Sequence, residues 1–224
     1  MRFKIPPVIR ILIITNVVVY LAQLSFAPLT EWGALHYWSS PFFKPHQIIT
    51  YQFMHDPGNF LHLAFNMLVL WMFGGFMENY WGAKRFLNFY LVCGIGAGLL
   101  QAAVIPWEIR HSIGAIPPGV SAEEVSAAIQ PVINNYQLIG ASGSIMGVMA
   151  AFAYLFPNTE MIIFPIPIPV KAKYVVPVYV LIDLFGGFNR QAGDNVGHFA
   201  HLGGALIGLI LVILWNKTNR RNFY

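Results

Sequence analysis

The chain has 224 residues and a formal net charge of +4; 57% of its residues are apolar and only 10% are charged. Soluble domains carry about 25% charged residues. The composition therefore excludes a soluble domain, and it equally excludes disordered, coiled-coil and nucleic-acid-binding proteins, which need more polar side chains. Cys93 is the one cysteine in the sequence, which excludes an internal disulfide. It lies in an apolar run, which predicts a small buried side chain.

Six apolar segments approach the roughly 20 residues that a helix needs to cross a bilayer. They cover about residues 8–26, 59–77, 86–105, 138–156, 174–188 and 196–215. With the N-terminus inside, alternating spans place ten of the thirteen Lys and Arg residues on the inner side, as the positive-inside rule requires. The sequence therefore predicts an all-α integral membrane protein: one membrane domain over residues 1–224, with six transmembrane helices and both termini cytoplasmic.

The connections between these segments carry their own signals. The first segment resembles a signal peptide, but Pro28 directly follows the small-x-small site at Ala27, so we expect no cleavage there. Ser121 and Glu124 have the spacing of a capping box and predict a short helix that runs to about Ile133. The proline-rich stretch 157–170 is predicted to be extended at the inner interface.

Polar side chains within spanning segments are costly and mark function by default. In the second segment, His62 and Asn66 are four residues apart, so they share one helix face. Taken alone, the pair is also explained as hydrogen-bonding residues that hold two helices together.

The fourth segment opens with Gly140-Ala-Ser-Gly-Ser144, which places two hydroxyl groups at the start of a helix. The pattern differs from the Gly-x-Ser-x-Gly elbow because position 144 is serine. Close packing between helices is an alternative explanation, since Gly143 and Gly147 have Gly-x-x-x-Gly spacing. Ser142 is the first nucleophile candidate and Ser144 the second.

In the sixth segment, His201, Gly204 and Gly208 fall on one helix face. A histidine beside bare glycine backbone can approach a neighbouring helix closely. His198 lies nearer the start of the helix and off that face.

All three segments begin on the outer side, and each carries its polar group about one turn in. Ser142, His201 and His62 are thus predicted at the same depth in the outer leaflet. A serine beside a histidine is a nucleophile with its base, and two further donors at that depth suit an oxyanion hole. No carboxylate lies at this depth on the helices of Ser142 or His201, which predicts a Ser–His dyad.

These motifs together resemble the rhomboid intramembrane serine proteases. The resemblance rests on Gly140-Ala-Ser-Gly143, on Ala200-His-Leu-Gly203 with the following glycines, and on His62-x-x-x-Asn66. It implies that Ser142 is the nucleophile, that His201 is the general base and acid, and that His62 and Asn66 line the oxyanion hole. It also implies that Glu78 helps to hold the cytoplasmic end of the second helix.

Two positions depart from the family pattern. The first outer loop often carries Trp-Arg in the family, whereas this chain has Pro45-His-Gln-Ile-Ile-Thr50. Many members have an aromatic ring four residues after the nucleophile, where this chain has Met146. Asp183, in the short fifth segment, is expected near the outer mouth in a structural role.

The predicted activity is that of a serine endopeptidase which cleaves transmembrane segments of other membrane proteins near the outer leaflet. Its expected partners are those substrates and the lipid bilayer, with no cofactor, no metal and no nucleic acid, and the expected location is a bacterial cytoplasmic membrane. Two alternatives are an inactive relative that only binds membrane proteins, and a small transporter. A transporter would show paired broken helices near the bilayer midplane.

Overall fold

The computed structural model describes residues 5–112, 119–163, 166–189 and 196–219. Within these ranges the chain is predominantly helical, with one short hairpin. The elements are α1 (Pro7–Ser25), α2 (Pro28–Gly33), α3 (Gln47–Thr50), a 3₁₀ turn (Tyr51–Phe53), α4 (Phe60–Val69), a π turn (Leu70–Gly74), α5 (Gly75–Trp81), α6 (Ala83–Ser112), α7 (Ala122–Asn135), α8 (Ser142–Leu155), β1 (Glu160–Ile163), β2 (Ile166–Lys171), α9 (Ala172–Phe188) and α10 (His198–Asn219).

All six segments predicted to span a membrane contain helix. Within the described ranges, four helices are long and apolar enough to cross one: Pro7–Ser25, Phe60–Trp81, Ala83–His111 and His198–Lys217. The helix Phe60–Trp81 runs through α4, the π turn and α5. The other two predicted spans correspond to shorter helices, α8 with 14 residues and α9 with 17.

The connection between α8 and α9 corrects the expectation of a purely helical fold. Where an extended stretch is predicted, β1 pairs antiparallel with β2, with Glu160 opposite Lys171 and Met161 opposite Val170. Proline cannot donate to a strand ladder and is therefore found on edge strands. A two-stranded hairpin consists only of edges, which is why β2 accommodates Pro167 and Pro169.

Helix α8 is the centre of the bundle. Every residue from Gly143 to Phe152 is buried, the pattern of a helix surrounded by others. Its backbone touches that of α10: a Cβ added at Gly208 would lie 2.5 Å from the Gly147 carbonyl oxygen, and one added at Gly204 would collide with the Gly143 carbonyl oxygen. We call these four residues the glycine seam. It fixes how α8 and α10 are aligned along their length.

Glu78 fastens the start of α1 to the end of α5. Its carboxylate oxygens accept hydrogen bonds from the backbone N–H groups of Val8, at 2.9 Å, and Ile9, at 2.8 Å. The first N–H groups of a helix have no acceptor within the helix, and a carboxylate also complements the helix dipole there. Glu78 therefore holds this end of the bundle, as the resemblance implies.

Gln47 anchors the loop between α1 and α4, at the point where the family often has Trp-Arg. It is 1% exposed. Its amide nitrogen donates to the carbonyl oxygens of Trp32 and Phe42, and its amide oxygen accepts from the N–H of Lys44 at 3.0 Å. With a longer contact of 3.5 Å from the N–H of His36 to the same amide oxygen, one side chain closes the loop through four backbone groups.

Candidate active site

Ser142 is the first residue of α8, and the backbone before it makes a sharp turn. Gly140 has a φ of +126°, which favours glycine, and its N–H donates to the carbonyl oxygen of Tyr51 at 3.0 Å. Space is restricted as well, because a Cβ at Gly140 would lie 3.0 Å from Nε2 of His62. The glycine before the serine therefore sets both the turn and the room beside Ser142.

The structure brings Ser142 and His201 into direct contact. The Nε2 atom of His201 lies 2.8 Å from Oγ of Ser142, although the two residues are 59 positions apart. Each lies within one turn of the glycine seam, Ser142 just before Gly143 and His201 three residues before Gly204. The close approach of the α8 and α10 backbones therefore carries the two side chains to the same level.

A carboxylate that the sequence analysis did not place at this site also contacts the histidine. Asp183 of α9 lies with Oδ1 3.0 Å from Nδ1 of His201 and 2.9 Å from Nδ1 of His198. The predicted dyad rests on the helices of Ser142 and His201, and Asp183 belongs to neither. An aspartate within an apolar segment was the signal that could have found it.

His62 lies beside the same turn. Its Nδ1 accepts a hydrogen bond from the backbone N–H of Asp56 at 3.4 Å, so the proton of the neutral ring belongs on Nε2. The Cβ position of Gly140 is 3.0 Å from that Nε2 and 3.5 Å from Oγ of Ser142. A donor therefore faces the space beside the serine hydroxyl.

Asn66 is buried one turn further along α4. Its Nδ2 donates to the backbone carbonyl oxygen of His62 at 2.9 Å. An amide nitrogen has two protons, so this bond leaves one N–H of Asn66 for another acceptor.

The second hydroxyl candidate, Ser144, points elsewhere. It is 1% exposed, and its Oγ donates to Oε1 of Gln52 at 2.9 Å. Met146, where many rhomboids have an aromatic ring, is buried in the core of the bundle. Of the two serines, Ser142 is the one in contact with a histidine.

This arrangement has the parts needed for acyl transfer. A serine hydroxyl lies within hydrogen-bond distance of one nitrogen of a histidine, and the other nitrogen of that histidine faces a carboxylate. Backbone N–H groups at the start of α8 are without helical acceptors, and they lie with the His62 donor near the serine. Such donors can stabilise the oxyanion that forms when a hydroxyl attacks a carbonyl.

Comparison with known proteins points in the same direction. The family model of the Rhomboid domain matches residues 43–217. The mitochondrial Rhomboid protein 1 of Saccharomyces cerevisiae is 31% identical over 163 residues, which are 73% of this chain and 40% of that protein. The rhomboid protease AarA of Providencia stuartii is 30% identical over 218 residues, covering 91% of this chain and 70% of AarA. The rhomboid protease GluP of Bacillus subtilis is 30% identical over 148 residues, covering 66% of this chain and 22% of GluP.

Proposed function

Since this chain belongs to the rhomboid family, we propose that it is an intramembrane serine endopeptidase with Ser142 as nucleophile and His201 as general base and acid. The observation that carries the proposal is the 2.8 Å contact between Ser142 Oγ and His201 Nε2. A hydroxyl at this distance from a histidine nitrogen can lose its proton as it attacks. The protease names of AarA and GluP support the same reaction class.

In the proposed reaction, Ser142 Oγ attacks the carbonyl carbon of a substrate peptide bond while its proton passes to Nε2 of His201. The carbonyl oxygen becomes an oxyanion, which accepts hydrogen bonds from His62 Nε2–H, the second N–H of Asn66 and the backbone N–H of Ser142. His201 then gives its proton to the leaving amine, and an acyl-enzyme remains. Water, activated by the same histidine, hydrolyses this ester and restores Ser142.

The substrates we propose are transmembrane segments of other proteins, cleaved near the outer leaflet.

We also propose that all six helical segments span the bilayer, that both termini are cytoplasmic, and that the domain covers residues 1–224. The support is the distribution of basic residues, ten inside and three outside in this arrangement. For location we propose a bacterial cytoplasmic membrane, supported by the match to AarA over 91% of the chain.

Two assays on the protein reconstituted in liposomes test the nucleophile. One is labelling by a serine-directed fluorophosphonate probe, and the other is cleavage of a fluorescent transmembrane peptide. The full chain should be labelled and should cleave the peptide, and Ser142→Ala should abolish both. Ser144→Ala is the matched control: it removes a buried hydroxyl two residues away, so it should lower thermal stability yet keep the label. Labelling that survives Ser142→Ala but disappears in Ser144→Ala would overturn the assignment.

A further inference from the structure

Asp183 lies on α9, five residues before the last residue of that helix, and is 6% exposed. One of its oxygens, Oδ1, faces the Nδ1 atoms of both His198 and His201, at 2.9 Å and 3.0 Å. Helix α9 is otherwise apolar from Val175 to Leu184 apart from the hydroxyl of Tyr179. A buried carboxylate needs compensating partners, and here both partners are imidazole rings of α10.

We propose that Asp183 is a positioning residue for the general base: its carboxylate holds His201 in the orientation and tautomer that accept the proton of Ser142. The inference rests on the proposed function, because it assigns Asp183 a part in the same reaction. Asp183 itself contacts His201 and acts on the serine only through that ring.

The tautomer follows from the hydrogen-bonding capacity of the groups. An ionised carboxylate only accepts, so the Nδ1 atom 3.0 Å away must carry a proton. A neutral imidazole has one N–H, which leaves the lone pair on Nε2, the atom 2.8 Å from Ser142 Oγ. The other tautomer would place a hydrogen between Nε2 and the hydroxyl and would leave no base there.

The same carboxylate stabilises the ring after proton transfer. Once His201 holds the serine proton it is a cation, and Nδ1–H then donates to an anion in a site of low polarity. Charge-assisted hydrogen bonds of this kind are stronger than neutral ones. Asp183 therefore favours the protonated intermediate more than the resting state, which is the condition for raising kcat.

His198 secures the carboxylate that holds His201. It is 7% exposed, and its ring packs against α9 at Gly186, where an added Cβ would lie 2.5 Å from Cε1 of that ring. His198 and His201 are three residues apart and so neighbour each other on the surface of α10. The sequence predicts His198 off the face of His201, whereas in the structure both rings face Asp183. His198 thereby provides the second contact of Asp183 Oδ1.

A purely structural explanation would make Asp183 only a tie between α9 and α10. The two explanations are separated by Asp183→Asn, which keeps the shape and removes the charge. Its matched control is Glu78→Gln, the same change at a buried carboxylate that caps α1 at another part of the bundle. For both variants we would measure melting temperature, kcat and KM with the transmembrane peptide, and the rate of fluorophosphonate labelling, well below the melting temperature.

We expect Asp183→Asn to lower kcat at least about 10-fold; the corresponding change in the chymotrypsin triad costs about 10⁴-fold. KM should change by less than about twofold, because the lost interaction forms in the transition state. The labelling rate should fall with kcat. Glu78→Gln should lower the melting temperature and leave kcat near that of the parent. The imidazole ¹⁵N shifts of His201 should report Nδ1–H in the parent and a changed tautomer mixture in Asp183→Asn.

Asp183→Asn with the parent's kcat and labelling rate would overturn the inference, and so would a His201 spectrum that does not change. In either case a parent enzyme that cleaves and labels through Ser142 would leave the proposed function intact. A parent enzyme that neither cleaves nor labels would refute the proposed function itself. Asp183→Glu provides a rescue test. Compared with Asp183→Asn, it restores a carboxylate and should recover more of the lost kcat than of the lost melting temperature.

Discussion

At the scale of single residues, the two proposed oxyanion donors are held very differently. His62 is fixed by the N–H of Asp56 at its Nδ1, whereas Asn66 is bonded to its own helix through one of two amide protons. His62 thus offers one directed N–H, and Asn66 offers only the proton that its helix does not use. This difference predicts unequal contributions to catalysis.

We expect His62→Ala to lower kcat by about 10²–10³-fold, the usual cost of losing one oxyanion donor. Asn66→Ala should lower kcat less, and KM should stay close to the parent value in both variants. Steady-state cleavage of the transmembrane peptide measures these constants. A greater loss of kcat in Asn66→Ala than in His62→Ala would contradict this ranking.

His55, in the loop between the 3₁₀ turn and α4, gives the fold a pH dependence. It is fully buried beside the ring of His62. Burial, together with the nearby His62, lowers the pKa of His55 from 6.5 to about 4. The unfolded chain therefore binds a proton that the folded chain rejects, so stability falls as the pH drops below 6.5 and continues to fall towards 4.

Between pH 7 and pH 5 we expect this group to cost about 2 kcal/mol of unfolding free energy. Melting temperatures of the protein in detergent across this range measure the effect. His55→Gln cannot be protonated there, so its melting temperature should vary less steeply with pH, whatever its absolute value. An equally steep dependence in His55→Gln would show that other groups cause the acid sensitivity.

The residues of the site differ in how far the sequence could place them. Ser142 and His201 belong to local motifs with glycine at fixed spacings, and such motifs predict a close approach of two helices. Asp183 has no such motif: only the packing of α9 on α10 brings it to His201. The contact of His198 with Asp183 could not be predicted for the same reason, because the position of a residue on a helix face does not specify which neighbouring helix it contacts.

At the scale of helices, the glycine seam between α8 and α10 determines whether the two reacting atoms meet. Backbone lies against backbone there, and a backbone carbonyl cannot move aside as a flexible side chain can. Any added methyl group must push the helices apart. The distance between Ser142 and His201 then increases although neither residue has been altered.

Gly204→Ala should therefore abolish most of the peptide cleavage and cost about 1–3 kcal/mol of stability, as overpacking does. Gly75→Ala is the matched control, since an added Cβ there meets only Pro6 Cδ at 3.9 Å. This control should be active and as stable as the parent or more so, because alanine favours helix over glycine by about 1 kcal/mol. An active, stable Gly204→Ala would show that the seam does not set the catalytic distance.

Elements with strong local signals were predicted well, and those without them were not. The capping box of Ser121 and Glu124 is present, and α7 begins at Ala122 as expected. The hairpin β1–β2 was missed because its prolines argue against strands. The π turn Leu70–Gly74 was missed for another reason: it contains no polar residue, so there is no apolar–polar pattern in which a shift of phase could mark the extra residue.

At the scale of the whole molecule, composition alone predicted a membrane protein. Charged side chains make up 10% of the chain, too few to cover a soluble surface, and four described helices are long enough to cross a bilayer. The short lengths of α8 and α9 were harder to foresee. A helix of 14 residues is only about 21 Å long, and α8 is surrounded by other helices, which bury every residue from Gly143 to Phe152.

The proposed topology predicts opposite accessibility at the two ends of the bundle. Cys93 is the only cysteine and is fully buried. We therefore expect no maleimide labelling of the parent protein, so any labelling of a variant reports the introduced cysteine. Ser39→Cys should react with a membrane-impermeant maleimide on intact cells, whereas Lys84→Cys should react only after permeabilisation. Labelling of Lys84→Cys on intact cells would contradict the cytoplasmic placement of this loop.

Because of the glycine seam, positions along α10 differ in how well they should tolerate substitution. Because backbone atoms set the spacing of α8 and α10, the catalytic distance does not depend on the choice of apolar side chains elsewhere on α10. Leu206 and Ile210 are 51% and 44% exposed on the outside of the bundle. Exchanges among aliphatic residues at such positions should leave that distance unchanged, whereas an added side chain at any of the four glycines should not. The lipid-facing surface and the Ser142–His201 contact are therefore set by different parts of the sequence.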